Sequence, residues 1–352
     1  MKLTVETFTV RKKFSLQISR GTTSESTNLW LRIQEDNIEG WGEAVPFAVS
    51  RTKQYTSDRL LQELQQAIPK LESFHPLQRQ EIETTLNSLQ LSSSLKAAID
   101  MALCDWLGKK ANLPLWQLWG LNCDRIVPIS VTIGINSPEG AIQRAQAWQE
   151  TLDFKMLKVK LGNPEGIAAD KAMLQAIRAE YPQVRLTVDA NGGWSFDDAV
   201  SMSHWLAELN VEYIEQPLAV GHEELLTHLT GLSPLPIFVD ESCFTSYDIP
   251  KLANSIAGVN LKIMKTGGLR ETKRAIDIAK AYGLKVMFGC YSDSSLANTA
   301  MSHLSPLADY LDLDSHLNLR DDPFQGAKIV EGRLLPNHQA GLGVEYSADS
   351  KK

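Results

Sequence analysis

The chain has little cysteine, no excess of positive charge and no long hydrophobic run. Its four cysteines, Cys104, Cys123, Cys243 and Cys290, form no C-x-x-C pair and no metal-ligand spacing. In a chain of 352 residues this excludes a disulfide framework or a thiolate zinc site as the organising feature. Lysine and arginine number 35 against 42 acids, a formal net charge of -7. A dedicated nucleic-acid binder would carry a basic face instead. No stretch approaches the apolar length of a membrane span. The start, MKLTVETFTVRKKFSL, alternates polar residues through the place where a signal peptide has its apolar core. The expectation is a reduced, cytoplasmic protein with neither nucleic-acid nor membrane partners. What is present is ordinary globular composition, 43% hydrophobic and 22% charged, enough for one large domain or two moderate ones.

Two textures divide the chain. Residues 2–11 and 27–35 alternate apolar and polar positions with the period of a strand. From about 57 to 110 the period becomes helical, most clearly in LKAAIDMALCDWLGKK. Residues 1–124 therefore read as an α+β unit. Beyond Asp124, eight β-rich runs alternate with mostly helical stretches: VPISVTIGI, FKMLKVKLG, VRLTVDANGG, VEYIEQPL, LPIFVDES, GVNLKIMKTGG, LKVMFGCYS and YLDLDSH. Their spacing is that of one strand-loop-helix unit, and no full helix follows the eighth. The fold class predicted is α/β, a (β/α)7β-type TIM-like barrel over 125–316 with an N-terminal α+β capping domain. A tail, 317–352, is expected to return to the capping domain.

The second run holds two lysines, Lys158 and Lys160, in apolar surroundings. Buried ammonium groups are rare because leaving water is costly. Side chains at i and i+2 share a face, so both point the same way. In such barrels the site lies at the C-terminal ends of the strands. Those ends also carry Asp189 and Asn191, Glu215, Asp240 and Glu241, Lys262, Cys290, and Asp312 with Asp314. Asp189, Glu215 and Asp240 come from three consecutive strands, and hard oxygen ligands of this kind suit Mg²⁺ better than Zn²⁺. The second and sixth strands of a closed eight-stranded barrel face each other, so Lys160 and Lys262 would approach a metal from opposite sides. The blander readings are edge-strand lysines and acids capping helix N-termini. Neither explains why the charges stand in register at successive strand ends. Lys265 competes with Lys262, but its face differs from that shared by Asn260, Lys262 and Met264. Cys290 reads as a packed residue.

The set K-x-K (158–160), D-x-N (189–191), E-Q-P (215–217), D-E-S (240–242) and K-x-x-K-x-G-G (262–268) resembles the enolase superfamily, in its muconate-lactonizing-enzyme-like subgroup. The Asp312-Leu-Asp314 pair resembles the dipeptide epimerases of the L-Ala-D/L-Glu kind, enzymes expected in murein-peptide recycling. The resemblance implies one Mg²⁺ held by Asp189, Glu215 and Asp240, with Asn191 and Glu241 in support. It implies Lys160 and Lys262 as the two acid-base groups, with Lys158 holding the substrate carboxylate and tuning Lys160. A free lysine, with a pKa of about 10.4, is a poor base at neutral pH. Neighbouring cations and desolvation would have to lower that value.

The same resemblance gives Asp312 and Asp314 the ammonium of a dipeptide. It gives specificity to the loop 15–23, where Arg20 stands near the arginine that reads a Glu side chain in relatives. Thr132 and Asp293 are further wall candidates; relatives would have Glu at the latter position. A homo-oligomer is possible by the same analogy. The alternatives on the same fold are an o-succinylbenzoate synthase or an N-acylamino acid racemase. Their substrates lack a free ammonium and leave the two acids at the eighth strand without a role.

Overall fold

The computed structural model describes residues 1–48 and 54–347. The end of the expected tail, 348–352, lies outside the described residues. Three antiparallel strands, Lys2–Ile18, Gly21–Glu35 and Ile38–Ala44, form the capping sheet. Its inner face packs on the helix Ser93–Ala111, while Ser57–Leu71 and Arg79–Ser88 complete the layer. Gly40 and Gly42 are required by this packing. A Cβ at either would collide with the helix carbonyls of Ala102 and Ala98. The expected specificity loop differs from its reading. Residues 15–23 continue the first two strands as a hairpin, pairing Leu16 with Thr23 after a bulge beyond Arg11, and only Ser19 and Arg20 form the turn.

The second unit is the barrel anticipated from the spacing. Its strands are Val131–Ile133, Met156–Lys160, Arg185–Asp189, Val211–Glu215, Ile237–Val239, Gly258–Leu261, Lys285–Phe288 and Tyr310–Leu311. They pair in parallel in sequence order. A bridge between Ile129 and Leu311 joins the eighth to the first. Strands two and six therefore stand across the barrel from each other. Among the described residues no α-helix follows the eighth strand, which leads instead into the short 3-10 turn Ser315–Asn318. The floor beneath the polar centre is closed by Tyr213, Phe238 and Met287, with the two rings stacked at 4.3 Å.

The two units share one core, and two features bind them. The segment after the barrel returns to the capping sheet, where Phe324 and Tyr346 pair as short strands. Both rings pack on Trp30, Tyr346 stacked on it at 4.6 Å. Glu43, fully buried at the end of the third strand, accepts hydrogen bonds from the backbone of Ser294 and Ala297 at the N-terminus of the barrel helix Ser295–Ser302. Among the described residues no helix is long and apolar enough to cross a membrane.

Candidate active site

The strand register builds the polar centre. Lys160 is the cross-strand partner of Asp189, and Asp189 of Glu215. Asp240 follows the end of the fifth strand, and Lys262 the end of the sixth. Oxygen atoms of Asp189, Glu215 and Asp240 all lie within 4.8 Å of one another, and all three residues are fully buried. Burial and then the Asp189 charge push the Glu215 carboxyl up to about 7.

That cluster fits a hard divalent cation. Glu215 Oε2 and Asp240 Oδ1 accept no well-directed hydrogen bond, although an ammonium lies close to each: Lys158 at 2.7 Å and Lys265 at 2.6 Å. Three carboxylates from three adjacent strands leave further coordination positions free for a substrate carboxylate and water. The neighbours hold these ligands in place. Asn191 donates to both Asp189 oxygens, from its backbone at 2.8 Å and its side chain at 3.1 Å. Gln216 Oε1 accepts from the Asp240 backbone at 2.9 Å. Asn260 Nδ2 donates to Glu215 at 2.6 Å. Asn260 was noted in the sequence only for the face it shares with Lys262, and that face is the signal that identifies it.

The lysines sit where the topology directs them, with some surprises of partner. Lys160 Nζ lies 2.6 Å from Asp189, and Lys262 Nζ 2.7 Å from Asp240. Lys158 is sealed from solvent and bridges Glu215 at 2.7 Å and Asp312 at 2.8 Å, with Asp189 at 3.5 Å. It thus ties the two acidic groups together instead of facing open space. With the carboxylate cluster holding no cation, burial acts to lower the pKa of Lys158 and Lys262, but Asp312 and Glu215 beside the first and Asp240 beside the second override it and hold both well above the usual value. Lys265 lies on a helical turn, Ile263–Thr266, and is fully buried behind Asp240. It donates to the carbonyls of Cys243 and Asn260 at 2.9 Å and to that of Asp240.

Asp312 and Asp314 lie just past the eighth strand, not within it. Thr132 donates its hydroxyl to Asp312 at 3.0 Å and its backbone N–H to Asp314 at 2.7 Å. It orients both acids and is itself nearly buried. Burial and the Asp312 charge raise Asp314 to about 6. Arg20, at the hairpin tip, reaches the barrel mouth, donating to the Asn191 carbonyl at 2.6 Å and to Glu241 at 2.5 Å. Asp293 is buried in the loop after the seventh strand and is raised to about 6, chiefly by burial. Cys290 packs against the Asp312 carbonyl at 3.2 Å. Burial raises its thiol far from a thiolate, in keeping with an inert residue. Tyr291, which sequence reasoning passed over, places its ring 4.5 Å from Lys262 Nζ and stacks on Phe47 at 4.3 Å.

Comparison with known proteins shows the family and the fold. Residues 2–120 match the model of the mandelate racemase / muconate lactonizing enzyme N-terminal domain, and residues 140–350 that of the enolase C-terminal domain-like family. The chain is 43% identical over 348 residues to a hydrophobic dipeptide epimerase of a Flavobacteria bacterium, covering 98% of each. It is 33% identical to the L-Ala-D/L-Glu epimerase of Bacteroides thetaiotaomicron, covering 98% of this chain and 88% of that one. The structure resembles that of a dipeptide epimerase from Enterococcus faecalis, complexed with Mg and the dipeptide L-Leu-L-Tyr. There the TM-score is 0.91 at 29% identity, covering 98% of this chain and 99% of the other.

Proposed function

The chain belongs to the mandelate racemase / muconate lactonizing enzyme family of the enolase superfamily, and from that premise we propose that it is a Mg²⁺-dependent dipeptide epimerase acting at the α-carbon of the C-terminal residue. The observation that carries the reading is the pair Lys160 and Lys262, on opposite barrel strands, each 2.6–2.7 Å from one member of a three-carboxylate cluster. The acids Asp312 and Asp314 add the second support, since a free peptide ammonium needs a buried anionic partner.

In this reading the ammonium of the first residue rests on Asp312 and Asp314, with Thr132 fixing both carboxylates. That contact sets the α-carbon of the second residue between the two lysines. One lysine, neutral, removes the α-proton, and the electron pair delocalises into the adjacent carboxylate as an enolate. The other lysine, protonated, returns a proton to the opposite face and inverts the centre. Asp189, Glu215 and Asp240 would hold Mg²⁺, which would supply the positive charge that a developing dianion requires. Lys158 keeps the two acidic groups at fixed separation, and Tyr291 shields Lys262 from water.

The test is deuterium uptake. The protein with Mg²⁺ in D₂O is given L,L-dipeptides, and mass spectra are recorded. A gain of one mass unit at the C-terminal residue's α-carbon, lost in the double variant Lys160→Ala, Lys262→Ala, is expected. Turnover of N-acylated amino acids, with no uptake by any dipeptide, would replace this reading with that of an N-acylamino acid racemase.

A further inference from the structure

The polar centre opens into a cleft of about 310 Å³ that runs away from Lys160, past Asp312 and Asp314, between the first strand of the capping sheet and the first barrel helix. Two cations line it that the proposed chemistry does not use. Lys12, on the strand, is nearly buried, with 8% of its surface exposed. Arg144, on the helix Pro138–Gln149, lies between two rings, its guanidinium carbon 4.3 Å from the Phe14 centroid and 4.0 Å from that of Trp148. Among the described residues neither side chain makes a hydrogen bond or an ion pair.

Cations withdrawn from water without an anionic partner are costly. Burial accordingly lowers the pKa of both, Arg144 to about 10. The charge of Asp314 acts on both cations and that of Asp293 on Lys12, but neither acid is within ion-pair distance of them, and Asp314 already takes the Thr132 N–H. A carboxylate delivered into the cleft would satisfy both cations together. The cleft begins at Asp312 and Asp314, so its occupant must be attached next to the ammonium they hold.

We propose that this cleft receives the side chain of the dipeptide's N-terminal residue, and that Lys12 and Arg144 select an acidic side chain there. The rings of Phe14 and Trp148 hold the guanidinium flat by cation–π contact, and the apolar wall they form with Leu16 suits the methylenes of a glutamyl residue. The selectivity is a charge selection on the first residue, whereas epimerisation occurs at the second. The inference rests on the dipeptide reading above for the placement of the ammonium.

The experiment uses the full chain with Mg²⁺ and two matched dipeptides, L-Glu-L-Ala and L-Gln-L-Ala. Deuterium uptake gives kcat/KM, and calorimetry measures binding separately. The wild type is expected to favour the glutamyl over the glutaminyl dipeptide by about tenfold or more, the worth of a charge-assisted hydrogen bond. Lys12→Met and Arg144→Met should each bring that ratio close to one, while Lys12→Arg and Arg144→Lys should retain most of it. A merely structural role for either residue would change both substrates equally and leave the ratio unmoved. Uptake with a ratio near one in the wild type, or a ratio unaffected by the methionine variants, would overturn the cleft assignment and leave the epimerase reading intact. Glutamyl-selective binding without uptake would do the reverse. Absence of both binding and uptake would remove both.

Discussion

Lys160 and Asp189 are cross-strand partners, and the ammonium of the first lies 2.6 Å from the carboxylate of the second. Across the barrel the ammonium of Lys262 lies 2.7 Å from the carboxylate of Asp240. Each proposed acid-base group is therefore tethered to a proposed metal ligand. A cation held by Asp189, Glu215 and Asp240 would compete for those oxygens and would free the ammonium groups toward the substrate, so metal binding would also prepare the bases.

The two lysines should divide the reaction between them. Lys160→Ala and Lys262→Ala are each expected to lose epimerisation by about 10²–10⁴-fold, the usual worth of a positioned acid-base group. Each should still exchange the α-proton of one epimer, and the surviving epimer should differ between the two variants. Retention of exchange with both epimers in either variant would remove that lysine from the mechanism.

The acid cluster predicts a metal-linked rise in stability. A cation bound only by the native state should stabilise it by about 2.7 kcal/mol at a hundred times its Kd. A melting curve with and without Mg²⁺ reads this directly. Asp189→Asn should abolish the shift, because the three oxygens within 4.8 Å no longer present three charges. An unchanged shift in that variant would mean that Mg²⁺ binds elsewhere.

Much of this was legible in the chain itself. The spacing of the eight β-rich runs gave the barrel, and charges at successive strand ends gave the polar centre, because a parallel strand fixes where its last side chain points. Partners were less legible. Lys158 shares a face with Lys160, yet only the eighth strand's proximity to the second turns it toward Asp312. Lys265 could be set apart from Lys262 only by strand face, because a one-turn helix, Ile263–Thr266, leaves no periodic signal. The hairpin around Arg20 read as a loop because a bulge interrupts the alternation beyond Arg11. Lys12 and Arg144 come together only through the packing of strand on helix.

Lys265 should prove structural. Its ammonium is held by three backbone carbonyls and by Asp240 Oδ1 at 2.6 Å, with no surface exposed. Removing one partner of a buried ion pair costs about 3–5 kcal/mol. Lys265→Met should lower the urea midpoint correspondingly, with the metal response weakened through Asp240. A variant of wild-type stability that lacked only activity would move Lys265 into the catalytic role assigned to Lys262.

Glu43 should make the union of the two units pH-dependent. Burial, then the charge of Asp293, raises its carboxyl from 4.5 to about 8. The folded state therefore binds a proton that the unfolded state has released between pH 4.5 and about 8. Stability from this group is full below that window and falls as pH rises through it. Glu43→Gln removes the titrating group, so unfolding free energy should decline less steeply from about pH 5 to 8 in the variant than in the wild type. Equal slopes would mean that the donors of Ser294 and Ala297 keep Glu43 ionised throughout.

Asp314 should set the pH dependence of substrate capture. Burial and Asp312 raise its carboxyl to about 6, so it is charged at neutral pH and neutral in mild acid. A protonated Asp314 offers a dipeptide ammonium no charge. Affinity should be full above about pH 7 and lost as pH falls through 6, with KM rising up to about tenfold per unit below that point. Asp314→Asn should show a raised KM that no longer varies over the same range, and stability should not follow the same curve. The comparison that isolates the ammonium is a dipeptide acetylated at its N-terminus. It should bind weakly at every pH, with none of the acid-limb loss. If the free and acetylated dipeptides lose affinity in parallel, the titrating group acts on the carboxylate end of the substrate, and the eighth-strand acids do not hold the ammonium.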